Sequence, residues 1–236
     1  MKIEHPLPGD IAALRTIWKE AFGDPDSYLD LFFSTAFLPD HCLCIRENDA
    51  VQTIAYWMDC RIGQHTAAYI YAVATAENSR GQGFCRALME CIHMLLQNKG
   101  YCGTILVPGD EVLRRMYRAM GYENFGSRPY FPCAARDMAV RMQKISREEF
   151  AQLRRSFLPE NAVIQEGAQL LLLDAMADFY QGDGFLMTVS RENGRILELL
   201  GDEAAAGLRE YNRRPFAMYR PLREEIFPTY FAFAFD

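Results

Sequence analysis

The segment Arg80-Gly81-Gln82-Gly83-Phe84-Cys85-Arg86 stands between an apolar, strand-like run and a stretch with helical spacing. Glycines this close together let successive backbone N–H groups turn toward one point, and the N-terminus of the following helix adds positive potential. The chemistry on offer is capture of an anion such as a pyrophosphate, although the same glycines would also serve an ordinary tight turn. Two nucleotide-binding patterns are absent. A dinucleotide loop requires a third glycine where Arg86 stands, and a Walker loop ends in Gly-Lys-Ser/Thr, which this segment lacks. Metal chemistry has little support. The cysteines, at 42, 44, 60, 85, 91, 102 and 133, contain no CxxC pair, and the histidines complete no ligand set; free thiols in a reducing compartment account for them.

Such a loop acts only where a scaffold holds it. Residues 65–75 (HTAAYIYAVAT) read as a buried strand entering it, and Phe84, Leu88, Cys91, Ile92 and Leu95 mark a helix leaving it, closed by Gly100. Upstream, Asp10 is placed to cap a helix carrying Ile11, Leu14, Ile17, Trp18 and Ala21, ended by Gly23. A second helix follows Asp24-Pro25 and reaches Phe37. Strands at 42–46 and 51–59 flank a turn at Glu47-Asn48-Asp49. Downstream come a short strand in GTILVPG, a helix capped by Asp110 and stopped by Gly121, and a strand at 136–142. This order makes an α/β core: a mixed central sheet flanked by helices.

A second segment begins near 146, where Ser146 and Glu149 form a capping box. Helices are expected at 147–156 and 166–179, strands near 184–189 and 195–200 around a turn at Glu192-Asn193-Gly194, a helix near 203–211, and strands at 216–219 and 229–235. In the last of these, phenylalanine alternates with alanine, which is strand period and argues for a docked chain end. The expected division is therefore 1–142 and 146–236, the second a smaller α/β region.

The chain has 236 residues, 50% apolar and 24% charged, which suits folded domains with real cores. A net charge of −6 argues against nucleic acid as a partner and is compatible with a cationic substrate. No stretch approaches the ~18 apolar residues that cross a bilayer, and the N-terminus lacks a secretory layout. A cytoplasmic protein without membrane attachment, monomeric or homodimeric, is expected.

The stretch VATAENSRGQG (Val73–Gly83), followed by FCRAL, resembles the acetyl-CoA signature of the GNAT N-acetyltransferase superfamily, Q/R-x-x-G-x-G/A, with Arg80, Gly83 and Cys85 at its fixed positions. Cys85 departs from the usual Gly or Ala. The later block ILVPGDEVLRRMYRAMGYE looks like the family's next strand and tyrosine-bearing helix, with Pro108-Gly109-Asp110 in place of its usual asparagine. The resemblance covers roughly 1–142. It implies an acetyl-CoA-dependent N-acetyltransferase acting on a primary amine, without a metal. Val73, Ala74 and Thr75 would lend backbone groups to the pantetheine arm. The amides of Gly81, Gln82, Gly83, Phe84, Cys85 and Arg86, after Arg80, would hold the pyrophosphate.

On the same resemblance, Tyr117 would protonate the leaving thiolate; the helical stripe Leu113, Met116, Tyr117 and Met120 offers a core role instead. Three readings of the base stand open. Asp59 ends a predicted strand beside Trp57; water is another. The second half, strand–strand–helix–strand without a phosphate loop, looks like the degenerate half of a tandem enzyme of the enhanced-intracellular-survival type, or a lid or dimerisation module. In that type a C-terminal carboxylate serves as base, which would make Asp236 the third candidate. Tyr69 and Tyr71, on one side of their strand, either line the cleft or pack; His93 is expected on the outer side of its helix. An acyl-CoA-binding sensor without turnover is the competing function.

Overall fold

The computed structural model describes residues 1–130, 140–203, 205–206, 212–223 and 226–235. The first half runs β1 (Lys2–Glu4), α1 (Ile11–Phe22), α2 (Asp26–Thr35), β2 (Cys42–Glu47), β3 (Ala50–Ile62), β4 (His65–Thr75), α3 (Phe84–Asn98), β5 (Gly103–Leu106), α4 (Glu111–Arg118) and β6 (Glu123–Tyr130). α1 buries Leu14, Ile17 and Trp18 and stops at Gly23, whose φ of 73° turns its N–H back to the Lys19 carbonyl. Asp10 precedes α1 without capping it. Its carboxylate accepts instead from the Leu7 amide at 2.7 Å and the Arg46 guanidinium at 2.5 Å. α2 ends at Thr35, short of Phe37. Asn48 (φ 50°) and Asp49 (φ 62°) form the two-residue turn of the β2–β3 hairpin, the positive pair a type I′ turn requires.

The second half runs β7 (Met142–Ile145), α5 (Arg147–Phe157), β8 (Val163–Ile164), α6 (Ala168–Met176), β9 (Ala177–Gly182), β10 (Phe185–Ser190), β11 (Ile196–Gly201) and β12 (Asn212–Pro221). β11-β10-β9-β7 make a small antiparallel sheet, on which Phe150 of α5 stacks over Phe179 at 4.3 Å. The chain leaves helix at Met176 rather than 179, because Ala177–Gly182 pairs along β10 and alternates its buried side chains with period two.

The large sheet has the order β1-β2-β3-β4-β5-β12-β6, with β8 on β3. β12 lies between β5 and β6, antiparallel to both, so the expected division at 142/146 does not hold for it: the second half completes the first half's sheet. β5 and β12 approach so closely that a Cβ at Gly103 would overlap the Tyr219 ring. One face of the sheet packs against α1, α2 and the chain end, with Trp18, Phe32, Tyr56, Tyr69, Tyr71 and Phe235 in its core. The other packs against α3 and α4 through Trp57, Ile70, Leu88, Ile92, Tyr117 and Tyr122.

Residues 229–235 are docked but not as a strand. Backbone pairing is confined to their start, at the Ala162–Tyr230 bridge and from the Thr229 amide to the Asn161 carbonyl at 3.1 Å; beyond it Gln165 brackets Phe233, donating to its carbonyl at 2.7 Å and accepting from its amide at 3.0 Å. Residues 231–235 are all buried, so the alternation of phenylalanine and alanine does not sort an inner face from an outer one. Most of the 203–211 helix and residues 136–139 of the 136–142 strand lie outside the described residues.

Candidate active site

β4 and β5 are parallel neighbours at only two positions, Ala68 with Thr104 and Tyr69 with Ile105. Past them the strands separate. Ala72, a non-glycine residue at φ 46°, interrupts the β3–β4 register opposite Ile54–Tyr56 and bends β4 away. The gap is a cavity of ≈ 610 Å³ walled by residues 69–73 on one side and 106–110 on the other, with Trp18, Phe22, Asp24, Leu113, Tyr117 and Phe235 around it. On the β5 side, the described part of β4 beyond Tyr69 has no strand partner, so an extended ligand can add there as a strand would. Of the residues expected to meet the pantetheine arm, Val73 lines this gap, while Ala74 and Thr75 pair with Ile54 and Thr53 of β3.

The glycine loop follows β4. Gly81 (φ 76°) and Gly83 (φ 81°) hold left-handed backbone that other residues rarely adopt, and the space where their Cβ atoms would point is open. Arg80 ties the loop to the end of β4, its Nε donating to the Thr75 carbonyl at 3.2 Å. Among the described residues no side chain caps α3, so its first-turn amides at Phe84, Cys85 and Arg86 are available to an anion. Burial pushes the Cys85 thiol up to about 11, so the sulfur adds no negative charge there. A diphosphate linked to an extended arm fits this combination of uncapped helix, glycine turn and separated strands.

Tyr117, from α4, lines the cavity and meets Tyr122 edge-on at 5.7 Å. Its hydroxyl has no hydrogen bond to the described residues, and burial holds its phenol well above the ordinary range, keeping it a proton donor. Asp110 caps α4 by accepting the Leu113 amide at 2.7 Å.

His93 is not on the outer side of α3 but buried. The buried stripe of α3 is Phe84, Leu88, Met89, Ile92, His93 and Leu96, turned from the Cys91–Leu95 line. Its Nδ1 accepts from Arg220 at 2.7 Å, which leaves the proton on Nε2, 2.8 Å from the Tyr122 hydroxyl; Thr104 also donates to that hydroxyl, at 2.9 Å. Burial, then the Arg220 charge, lower the His93 pKa to about 3. Unfolded, it titrates near ~6.5. Between these values the unfolded chain binds the extra proton, so the His93 contribution is complete above the unfolded value and is lost as pH falls toward 3. Between pH 7.5 and 5.0 this group should remove about 2 kcal/mol of unfolding free energy, a loss that His93→Gln lacks. Urea unfolding at both pH values checks this; equal slopes would refute it.

Asp59 does not end its strand: β3 continues to Ile62. It lies outside the cavity lining, and its Oδ1 accepts from the Tyr101 hydroxyl at 2.7 Å. Asp236 lies outside the described residues. Its neighbour Phe235 lines the cavity, and the chain end is held by tyrosines: Tyr69 donates to the Ala234 carbonyl at 2.6 Å and Tyr71 to the Phe235 carbonyl at 2.9 Å. Tyr69 and Tyr71 thus both line the cleft and pack. Sequence reasoning missed Trp18, Phe22 and Asp24 as cavity residues, because they sit on or just after a helix whose apolar stripe reads as core.

A family model described as an acetyltransferase (GNAT) domain matches residues 3–125. No curated protein matches the chain. Among solved structures it is similar to a GCN5-related N-acetyltransferase from Kribbella flavida, with TM-score 0.72, 16% identity and coverage of 93% of this chain and 70% of that one. It is similar to another from Anabaena variabilis ATCC 29413, with TM-score 0.71, 17% identity, and 94% and 73% covered. It is also similar to Eis1 from Mycobacterium abscessus, with TM-score 0.72, 13% identity, and 94% and 74% covered. At these identities the likeness is one of fold, and it spans both sheets.

Proposed function

Since this chain belongs to the acetyltransferase (GNAT) family, we propose that it transfers an acetyl group from acetyl-CoA to a primary amine by direct attack on the thioester. The observation that carries this reading is the separation of β4 from β5 beside an uncapped, glycine-opened helix, with Tyr117 in the same cavity.

In this reading the thioester supplies the acyl group and a thiolate leaving group. The amine nitrogen forms the new C–N bond, the C–S bond breaks, and the nitrogen releases a proton. Val73 offers backbone N–H to the thioester oxygen. The amides from Gly81 to Arg86 orient the diphosphate. Tyr117 gives its proton to the departing sulfur and regains one from solvent. Asp236, which follows the Phe235 carbonyl that Tyr71 holds, is the candidate acceptor of the amine proton.

The test is release of free thiol from acetyl-CoA over a panel of amines; binding without release would instead make the protein a sensor. Tyr117→Phe should keep acetyl-CoA affinity and lose about 100-fold in turnover, whereas unchanged turnover would return the tyrosine to the core. Asp236→Asn should fold and bind acetyl-CoA but turn over at least about 10-fold slower; a native rate would exclude Asp236 as base.

A further inference from the structure

On the side of the sheet opposite α3, the cavity wall is built by Trp18, Tyr69, Tyr71 and Phe235, with Phe22 and Asp24 also on its lining. α4 contributes Leu113. Phe22 is 49% exposed and Leu113 38% exposed. A single exposed apolar side chain is ordinary, but two bordering one aromatic-lined cavity form a surface for an apolar ligand.

Among the described residues the charges in the lining have one sign, Asp24 and Asp110. Asp110 is exposed and caps α4 through one oxygen. Asp24 is held differently. Its Oδ2 accepts the Trp18 indole N–H at 2.7 Å, and its backbone is set between Gly23, in left-handed conformation, and Pro25. The nearby cations of α1 point elsewhere: Arg15 pairs with Asp26 and Asp30, and Lys19 with Asp26. Among the described residues no cation pairs with Asp24. A half-buried carboxylate that is oriented through one oxygen and lacks a counter-ion is suited to receive an ammonium group.

Resting on the acetyl-transfer reading, we propose that the acceptor is a monoamine with an apolar or aromatic body, its ammonium received by Asp24, where it gives one proton to solvent before the neutral nitrogen attacks, and its body laid against Phe22 and Leu113. A polyamine laid along the same surfaces sets a charged nitrogen against Phe22 or Leu113, where an unpaired charge is costly. A small polar amine reaches Asp24 but leaves the apolar surfaces uncovered.

Phenethylamine, spermidine and ethanolamine are compared as acceptors by thiol release, and phenethylamine binding is followed by calorimetry in wild type, Asp24→Asn and Phe22→Ser. Phenethylamine should have a kcat/KM about 10-fold or more above the other two. Asp24→Asn keeps a carbonyl for the Trp18 indole while removing the charge, and should weaken phenethylamine binding about 10-fold. Phe22→Ser should reduce the phenethylamine-to-ethanolamine ratio of kcat/KM by about 10-fold. Spermidine or ethanolamine matching phenethylamine, or Asp24→Asn binding it like wild type, would overturn the proposal. If the protein binds phenethylamine in an Asp24-dependent way but not acetyl-CoA, the transfer reading falls and the pocket assignment stands. If it binds acetyl-CoA and not phenethylamine, the pocket assignment alone falls.

Discussion

Gly83→Leu is expected to raise the dissociation constant for acetyl-CoA more than 100-fold in a protein that still folds. Gly83 sits at φ 81°, at the N-terminus of α3. A leucine there favours leaving the left-handed conformation, and forcing it back on binding costs roughly 1–2 kcal/mol. Its side chain also points into space that is open over the loop, and displaces the diphosphate from at least one amide. A hydrogen bond to a charged group contributes about 1.5–3 kcal/mol. Together these come to about 2.5–5 kcal/mol, most of that range above the ~2.7 kcal/mol that corresponds to 100-fold. Fold retention is expected because Gly83 is exposed and its added Cβ meets no atom within 4 Å. Calorimetry on the variant, with circular dichroism for fold, measures this; native affinity would move the diphosphate site elsewhere.

Removing Glu198 should produce the largest loss of stability. Its side chain is 1% exposed and that of its partner Arg154 4%. The guanidinium contacts both carboxylate oxygens, at 2.9 Å from each by its nearer nitrogen, and lies 4.7 Å from the centre of the Phe233 ring. Tyr230 donates to the same carboxylate at 2.8 Å. This group ties α5, β11 and the chain end together. In Glu198→Ala the guanidinium stays buried without a counter-ion, which costs about 3–5 kcal/mol. Replacing both partners with Arg154→Met and Glu198→Leu removes the unpaired charge, and should recover most of that loss. Denaturant unfolding of the two variants distinguishes them: equal destabilisation would mean that lost packing, not the stranded charge, sets the cost. Because the pair touches the residues that lead into Phe235, the single variant should also disturb the cleft.

Much of the site was legible because it depends on short-range rules. The glycine loop between strand and helix, the Asn48-Asp49 turn, the Asp110 cap and the Ser146–Glu149 capping box each involve residues a few positions apart, whose backbone preferences act locally. The order of elements from β2 to α4 followed from the same patterns, and so did the resemblance that pointed to an acetyl-CoA loop.

What remained hidden depends on contacts between distant segments. Nothing in residues 212–221 says that they insert between β5 and β6, because a buried strand shows the same apolar pattern whichever neighbours it has. The chain end shows strand alternation yet is buried on both sides, since it pairs with Gln165 and lies between other elements. The cleft exists because Ala72 takes a positive φ, which alanine does not announce, and that conformation persists only where the surrounding sheet imposes it. Asp24 reads as a solvated turn residue until the Trp18 indole is seen to hold it at the cavity. Composition, periodicity and turn chemistry thus determined the elements and the glycine loop. The tertiary structure decided which side chains share the cavity, because side chains distant in sequence meet only once the sheet and its helices are assembled.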